Sequence, residues 1–365
     1  MEKAGVDTVL TTPRQGRARS VGKNVALVVA TVALVALLVW KLGGTAPILE
    51  AARGARPGWI AVAFVASFAC VLIGTLRWQV VVGAMGPANA QQASARTRER
   101  YSLPFGRALG AVLAAWPLSA VTPSRAGDLA RAWTVSDRVP VVEGVGSVLA
   151  EKVVDALVLL AFVAAGAGTA RLWIWCGVAT AGFAVGTSAV LLLMRSRARL
   201  AKLPGLRGRA ETIERLFVAF DALRRAPARL VTLVALSMVV RVLTLGVTHA
   251  LFVALGADVS FFDTATLWPA AILAGLAPVT LGGMGTRDAA FLFLLGERGH
   301  VTHAAILAAT MGYWAVATGS FALIGLPFMW SATWRATPAA RSTARVADAP
   351  PRAGESPPDE RGRAS

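Results

Sequence analysis

Long apolar runs separated by short charged, Gly- or Pro-rich segments dominate the chain. A helix needs about 20 apolar residues to cross the hydrocarbon core of a bilayer. Six runs reach that length: roughly Val25 to Leu42, Gly58 to Gly83, Gly144 to Ala170, Leu172 to Met194, Leu230 to Leu255 and Ala304 to Trp330. Two shorter runs, about Ala108 to Thr122 and Thr266 to Leu281, end in segments broken by Pro and Gly. Irregular backbone is tolerated at membrane depth only where protein or a water-filled cavity surrounds it, so these two are expected to be re-entrant hairpins. The pattern predicts an all-α integral membrane protein with six transmembrane helices plus two re-entrant hairpins.

The distribution of Lys and Arg tests that count, because cytoplasmic loops of membrane proteins carry the excess of basic residues. With the N-terminus inside and both short runs returning to their own side, about 28 basic residues fall on the cytoplasmic side and about five outside. The largest group runs from Arg195 to Arg229, and a single extra crossing would turn it outward. The expected organisation is a basic cytoplasmic tail over 1–24, a membrane domain over 25–334 and a second cytoplasmic tail over 335–365. That second tail is rich in Pro, Arg, Ala and Ser, a composition expected to be disordered. The membrane domain divides into halves of about 25–170 and 172–334, each with three spans and one hairpin entering from opposite faces. This is inverted-repeat topology. A faint echo accompanies it: Val121-Thr122 precedes Gly127 at the spacing with which Val279-Thr280 precedes Gly285. Both termini are expected in the cytoplasm, and the protein in the inner (plasma) membrane.

Composition agrees with a lipid solvent: 56% of residues are hydrophobic and mean hydropathy is +0.60. The net charge of +17 lies in loops and tails without interleaved aromatics, which speaks for topology and against nucleic-acid binding. Cys70 and Cys176 each lie within an apolar run and read as packing residues, with no disulfide framework or zinc site. The basic N-terminus resembles a secretory signal, but the run from Val25 is too long for one, so a retained first span is expected. His300 and His303 stand three apart with no acid or thiol cluster to complete a metal site, and His249 lies in a span. No metal and no cofactor is expected. Trp268, Trp314, Trp330 and Trp334 lie near span ends, where aromatic belts form.

Three segments carry candidate chemistry. In Thr122 to Arg131, Pro123 and Gly127 break the helix, Arg125 and Arg131 can bind phosphate, and Asp128 can orient them. The plain alternative is an interfacial turn with snorkelling arginines. In the third span, Glu151 and Asp155 share a helix face beside Lys152. Charges at that depth face the bundle interior and are paired, and Arg77 and Arg241 are the plausible partners. Such a network either lines a pathway or only holds helices together. Finally, the loop Gly282-Gly283-Met284-Gly285-Thr286-Arg287-Asp288 can expose amides to an anion. It lacks the Gly-Lys-Ser/Thr of a nucleotide loop, and the alternative is a flexible turn.

In this order the segments resemble the flippase-like family named after the transmembrane region of lysylphosphatidylglycerol synthase. The resemblance spans about Val25 to Trp334. Its pieces are Arg77-Trp78, then Pro123-x-Arg125-x-Gly127-Asp128-x-x-Arg131, then Glu151-Lys152-x-x-Asp155, then Gly282-Gly283-x-Gly285-x-x-Asp288. This chain departs from the usual pattern with Asp128 and Asp288 in place of Glu, Lys152 in place of Arg, and Ser119 where Asn is frequent. The resemblance implies a lipid-flipping or lipid-handling module, which in some relatives is fused to an aminoacyl- or glycosyl-transferring domain. Here a stand-alone module without a catalytic domain is expected, handling an anionic lipid or a lipid-linked (polyprenyl-phosphate or glycolipid) substrate. The headgroup would meet Arg125, Gly127, Asp128, Arg131, Gly283, Gly285, Arg287 and Asp288, beside an intramembrane network of Arg77, Glu151, Lys152, Asp155 and Arg241. The competing expectation is a membrane-embedded acid/base site built on the same carboxylates, or a subunit serving a separate transferase.

Overall fold

The computed structural model describes residues 14–41, 44–86, 101–122, 125–200, 210–277, 279–297 and 301–335. The expected tail over 335–365 (beyond Arg335), most of the N-terminal tail, and Pro123 and His300 lie outside the described residues. The described residues form helices joined by short turns. They are α1 (Arg14–Lys41), α2 (Ala46–Arg53), α3 (Pro57–Ala84), α4 (Phe105–Ala120), α5 (Arg131–Thr134), α6 (Val141–Thr169) and α7 (Trp173–Leu200). After them come α8 (Ala210–Arg225), α9 (Pro227–Ala254), α10 (Phe261–Gly275), α11 (Thr286–Gly296), α12 (His303–Trp314) and α13 (Ser320–Arg335). A 3₁₀ turn (Ala126–Ala130) precedes α5, and a π-helical turn (Ala315–Gly319) joins α12 to α13.

Four helical stretches are long and apolar enough to cross a bilayer: Pro57–Ala84, Trp173–Arg197, Pro227–Ala254 and His303–Ser331. Helices α1 and α2 meet at 79° and would supply a fifth if that bent pair is one span. The first apolar run is therefore not a straight helix of its own; it is the end of a helix that begins at Arg14 and turns sharply after Lys41. Helix α6 differs from the four for a chemical reason. Its 29 residues reach about 43 Å at 1.5 Å per residue, ample for a crossing, but it carries Glu143, Glu151, Lys152 and Asp155. Glu151 is buried and Asp155 nearly so, turned toward neighbouring helices and away from the surroundings.

Within the basic stretch from Arg195 to Arg229, the described residues are largely helical. Helix α7 runs through Arg197 to Leu200, and α8 is amphipathic, burying Ala219, Ala222 and Leu223. Arg197 pairs with Asp221 and, at 3.4 Å, with Glu214, which ties α7 to α8. Helix α8 lies so close to α6 that a Cβ at Gly146 would sit 2.2 Å from the Leu216 carbonyl.

Two apolar cores flank the middle of the molecule. One gathers Trp78, Val81, Val148, Leu223 and Phe321, and the other Phe252, Trp268, Phe291 and Ile306. The short helices α4 and α10 have 16 and 15 residues, about 24 and 23 Å, less than the roughly 30 Å of a hydrocarbon core. Both contain proline, Pro117 and Pro269, and both run into broken backbone. The two broken segments touch: the Gly282 amide donates to the Thr122 carbonyl at 3.4 Å. Helix α1 holds the second of them, with Thr31 Oγ1 accepting from the Leu281 amide at 2.8 Å.

Candidate functional site

Between the two cores lies a cavity of about 610 Å³. Helices α3, α4, α6, α9 and α10 line it together with both broken segments and the π-helical turn. Six cationic side chains face it, Arg77, Arg125, Arg131, Lys152, Arg241 and Arg287, against three carboxylates, Asp128, Glu151 and Asp155.

The charges are organised by the one-turn spacing of Glu151 and Asp155 on α6, which aims both carboxylates at one side. Glu151 bridges Arg131, with Nη2 2.8 Å from Oε2, and Arg77, at 3.5 Å. The Arg131 approach is close but angled away from a straight hydrogen bond. Asp155 bridges Arg77, at 3.1 Å, and Arg241. The result is a continuous row, Arg131–Glu151–Arg77–Asp155–Arg241, that joins α5, α6, α3 and α9. Arg77, Arg131 and Glu151 expose only 6–7% of their side chains.

A second cluster hangs from the first broken segment. Asp128 pairs with Lys152 of α6 and, at 3.7 Å, with Arg125, and it accepts from the Ser119 hydroxyl. Asp128 therefore orients Arg125 as its spacing suggested, while Arg131 turns instead to Glu151. Arg125 adopts left-handed backbone (φ 55°, ψ 37°), which is unfavourable for a residue with a Cβ and tends to persist at functional positions. Its guanidinium lies 4.6 Å from the Trp116 ring centroid. Gly127 does not line the cavity. It lets the turn pack on α4, since a Cβ there would sit 2.3 Å from the Ser119 nitrogen.

The third group comes from the second broken segment. Arg287 donates to Asp288 at 2.9 Å and lies 5.4 Å from the Trp268 ring and 4.9 Å from that of Tyr313. Asp288 also accepts the Gly285 amide at 3.0 Å. Gly283 lines the cavity, whereas Gly285 and Asp288 stand behind it. Of the two readings of this loop, an amide cradle or a turn, three of its amides favour the turn. Leu281, Gly282 and Gly285 all donate within the protein, and the carboxylate that meets the Gly285 amide is the chain's own. The glycines serve backbone geometry. Gly282, Gly283 and Gly285 have φ of 57°, 76° and 90°, and a Cβ on Gly283 would sit 2.6 Å from the Gly275 carbonyl.

The sequence marked Trp78 only as the neighbour of Arg77 and Trp268 only as a belt residue, and it did not single out Trp116 at all. Trp78 lies beneath Arg131 at 5.0 Å, Trp116 beneath Arg125, and Trp268 beneath Arg287. Trp268 is fully buried and so is no interfacial belt residue, whereas Trp330 is exposed. A signal did exist: Trp116-Pro117 and Trp268-Pro269 repeat one dipeptide in the two short helices. Cys70 is a free thiol on the cavity wall. Among the described residues, no group of three or more His, Cys, Asp or Glu is arranged to hold a metal ion.

The family defined by the lysylphosphatidylglycerol synthase TM region matches residues 25–329, nearly all of the helical domain. The chain belongs to this family. For a member of the lysylphosphatidylglycerol synthase TM region family, a multi-pass helical membrane protein with a place in lipid-related processes follows directly. No curated protein matches the chain. Arg77, Arg125, Asp128, Arg131, Glu151, Lys152, Asp155, Arg241, Gly283 and Arg287 all converge on one cavity of this family member.

Proposed function

We propose that this chain is a flippase-like carrier that admits the phosphate-bearing headgroup of an anionic lipid or lipid-linked glycan to its central cavity and passes it across the membrane. One observation carries the reading: cationic side chains outnumber carboxylates in a cavity walled by both broken segments. Charges inside a membrane protein are costly, and an uncompensated excess is best explained by a ligand that brings the missing negative charge. The members with room to meet such a ligand are Arg125 and Lys152, whose side chains are 32% and 41% exposed. Their shared carboxylate, Asp128, occupies the position a phosphate oxygen would take. Arg77 and Arg131 are enclosed and set the field of the cavity without needing to touch the ligand.

The same reading takes six spans and two re-entrant hairpins related as an inverted repeat, with α1–α2 and α6 completing the set. Both termini would be cytoplasmic in the inner membrane. An inverted repeat whose broken elements meet at the midplane allows alternating access by rocking one half against the other.

Reconstitution tests it. Proteoliposomes are loaded with fluorescent phospholipids or a fluorescent polyprenyl-phosphate glycan, and an impermeant quencher is added outside. Protein-dependent quenching of inner-leaflet label is expected for at least one anionic lipid, and its loss is expected in Arg125→Gln. A full panel that stays protected in vesicles holding folded protein would refute the carrier reading.

A further inference from the structure

A second hollow lies on the opposite side of α5 from the central cavity. It has a volume of about 430 Å³ and is formed by α4, the turn after α5, and the end of α13. Its floor is Gly106, Gly110, Ala111 and Ala114, residues with no side chain large enough to fill it. Its rim carries one cation and one anion. Arg107 Nη2 donates to both oxygens of Asp137 at 2.7 Å, and the two side chains are 40% and 56% exposed. Trp133, 58% exposed, stands beside them, with Ser136 and Ser331 as further hydroxyls. Phe328 and Ser331 are among the last residues of the candidate span His303–Ser331, so the hollow is level with an end of that span, where headgroups lie.

We propose that this hollow is a binding site for a zwitterionic phospholipid headgroup, one that joins a phosphate to an ammonium. The charge complement is specific. An anionic headgroup would satisfy Arg107 and meet Asp137 as a like charge, whereas a zwitterion satisfies both. An exposed Arg–Asp pair contributes little by itself, so opening it to exchange partners with a headgroup costs little. Trp133 supplies an aromatic face for the ammonium, the usual way a protein recognises an alkylammonium group, and an indole at this depth sits comfortably at a membrane interface. The small-residue floor leaves room for the headgroup, and because α13 packs directly on α4 deeper in, with a Cβ on Gly325 falling 2.3 Å from the Leu113 carbonyl, the glycerol stays at the mouth of the hollow. The site stands apart from the central cavity: Arg131 of the same short helix points inward to Glu151, whereas Trp133 and Thr134 face the hollow.

The test is photo-crosslinking in nanodiscs of a neutral galactosyl diacylglycerol, which carries neither a phosphate nor an ammonium, doped with a phosphatidylethanolamine or a phosphatidylglycerol that carries a photoreactive group near the glycerol, with adducts mapped by mass spectrometry. Adducts on segments 106–114 and 328–331 are expected with phosphatidylethanolamine at several times the level seen with phosphatidylglycerol. Asp137→Asn should bring the two lipids to within twofold of each other, and Trp133→Ala should lower the phosphatidylethanolamine adducts at least threefold. Arg125→Gln should leave this labelling unchanged even where it abolishes transport, so the two sites can fail separately. Equal labelling by both lipids in the native protein, or a preference that survives Asp137→Asn, would overturn the assignment. Intact secondary structure of each variant, read by circular dichroism, excludes misfolding as the cause.

Discussion

Replacing Glu151 with Gln keeps the side-chain volume and removes one buried charge from the middle of the five-member row. Arg77 retains Asp155 at 3.1 Å. Arg131 loses its carboxylate at 2.8 Å, in surroundings that leave its side chain 6% exposed, and keeps the Trp78 ring at 5.0 Å and the longer-range attraction of Asp128. Breaking a buried pair by removing one partner costs about 3–5 kcal/mol, because the remaining charge stays desolvated. The ring contact is present before and after, so it offsets none of this. Arg131→Gln should cost a similar amount, by stranding Glu151 with Arg77 alone at 3.5 Å. The double variant places two neutral amides side by side, and its loss should fall short of the sum of the single losses by at least about 1 kcal/mol. Equilibrium unfolding in mixed micelles, followed by circular dichroism across the four proteins, measures this directly. Losses that add to within about 0.5 kcal/mol would show that the two charges do not interact and would refute the row as described.

Three further outcomes are expected. Arg125→Gln should abolish lipid translocation with little loss of stability, since Arg125 is a third exposed and its carboxylate keeps Lys152. Lys at 125 should restore part of the activity, because charge is kept and the planar fork is lost, while Arg215→Gln, which breaks an exposed pair with Glu211, should be silent in the same vesicle assay. Gly283→Ala should be strongly destabilising through its 2.6 Å approach to Gly275, whereas Gly256→Ala, left-handed at φ 67° but in open space, should cost about 1–2 kcal/mol; thermal unfolding of the two separates crowding from backbone strain. A Cys at Ser196 should be labelled by an impermeant reagent only after permeabilisation, and labelling in intact cells would reverse the proposed orientation.

The helical membrane class was legible in the sequence because it rests on solvent: about 20 apolar residues in a row can be satisfied only in lipid, whatever they pack against. The pairing of Arg77 and Arg241 with Glu151 and Asp155 was legible for a similar reason. A one-turn spacing places two carboxylates on one face, and buried charge demands a partner. Local rules cover both cases.

What tertiary structure decided is where chains of different sequence position meet. Composition sets α6 apart from the plain spans by its charges until its acids are seen facing neighbours, and the basic stretch after α7 looks like a loop until α8 packs on Gly146. The glycine segment could be read as an anion cradle or as a turn, and Thr31, Thr122 and Asp288 take three of its amides. The tryptophans beneath Arg125, Arg131 and Arg287 carry no local mark beyond the Trp-Pro dipeptide at two of the three, since stacking on a guanidinium depends on rings brought in from other helices. Periodicity reports the solvent around each helix; the cavity, its excess of positive charge and the partner of each guanidinium arise only when α3, α4, α6, α9 and the two broken segments close around the same space.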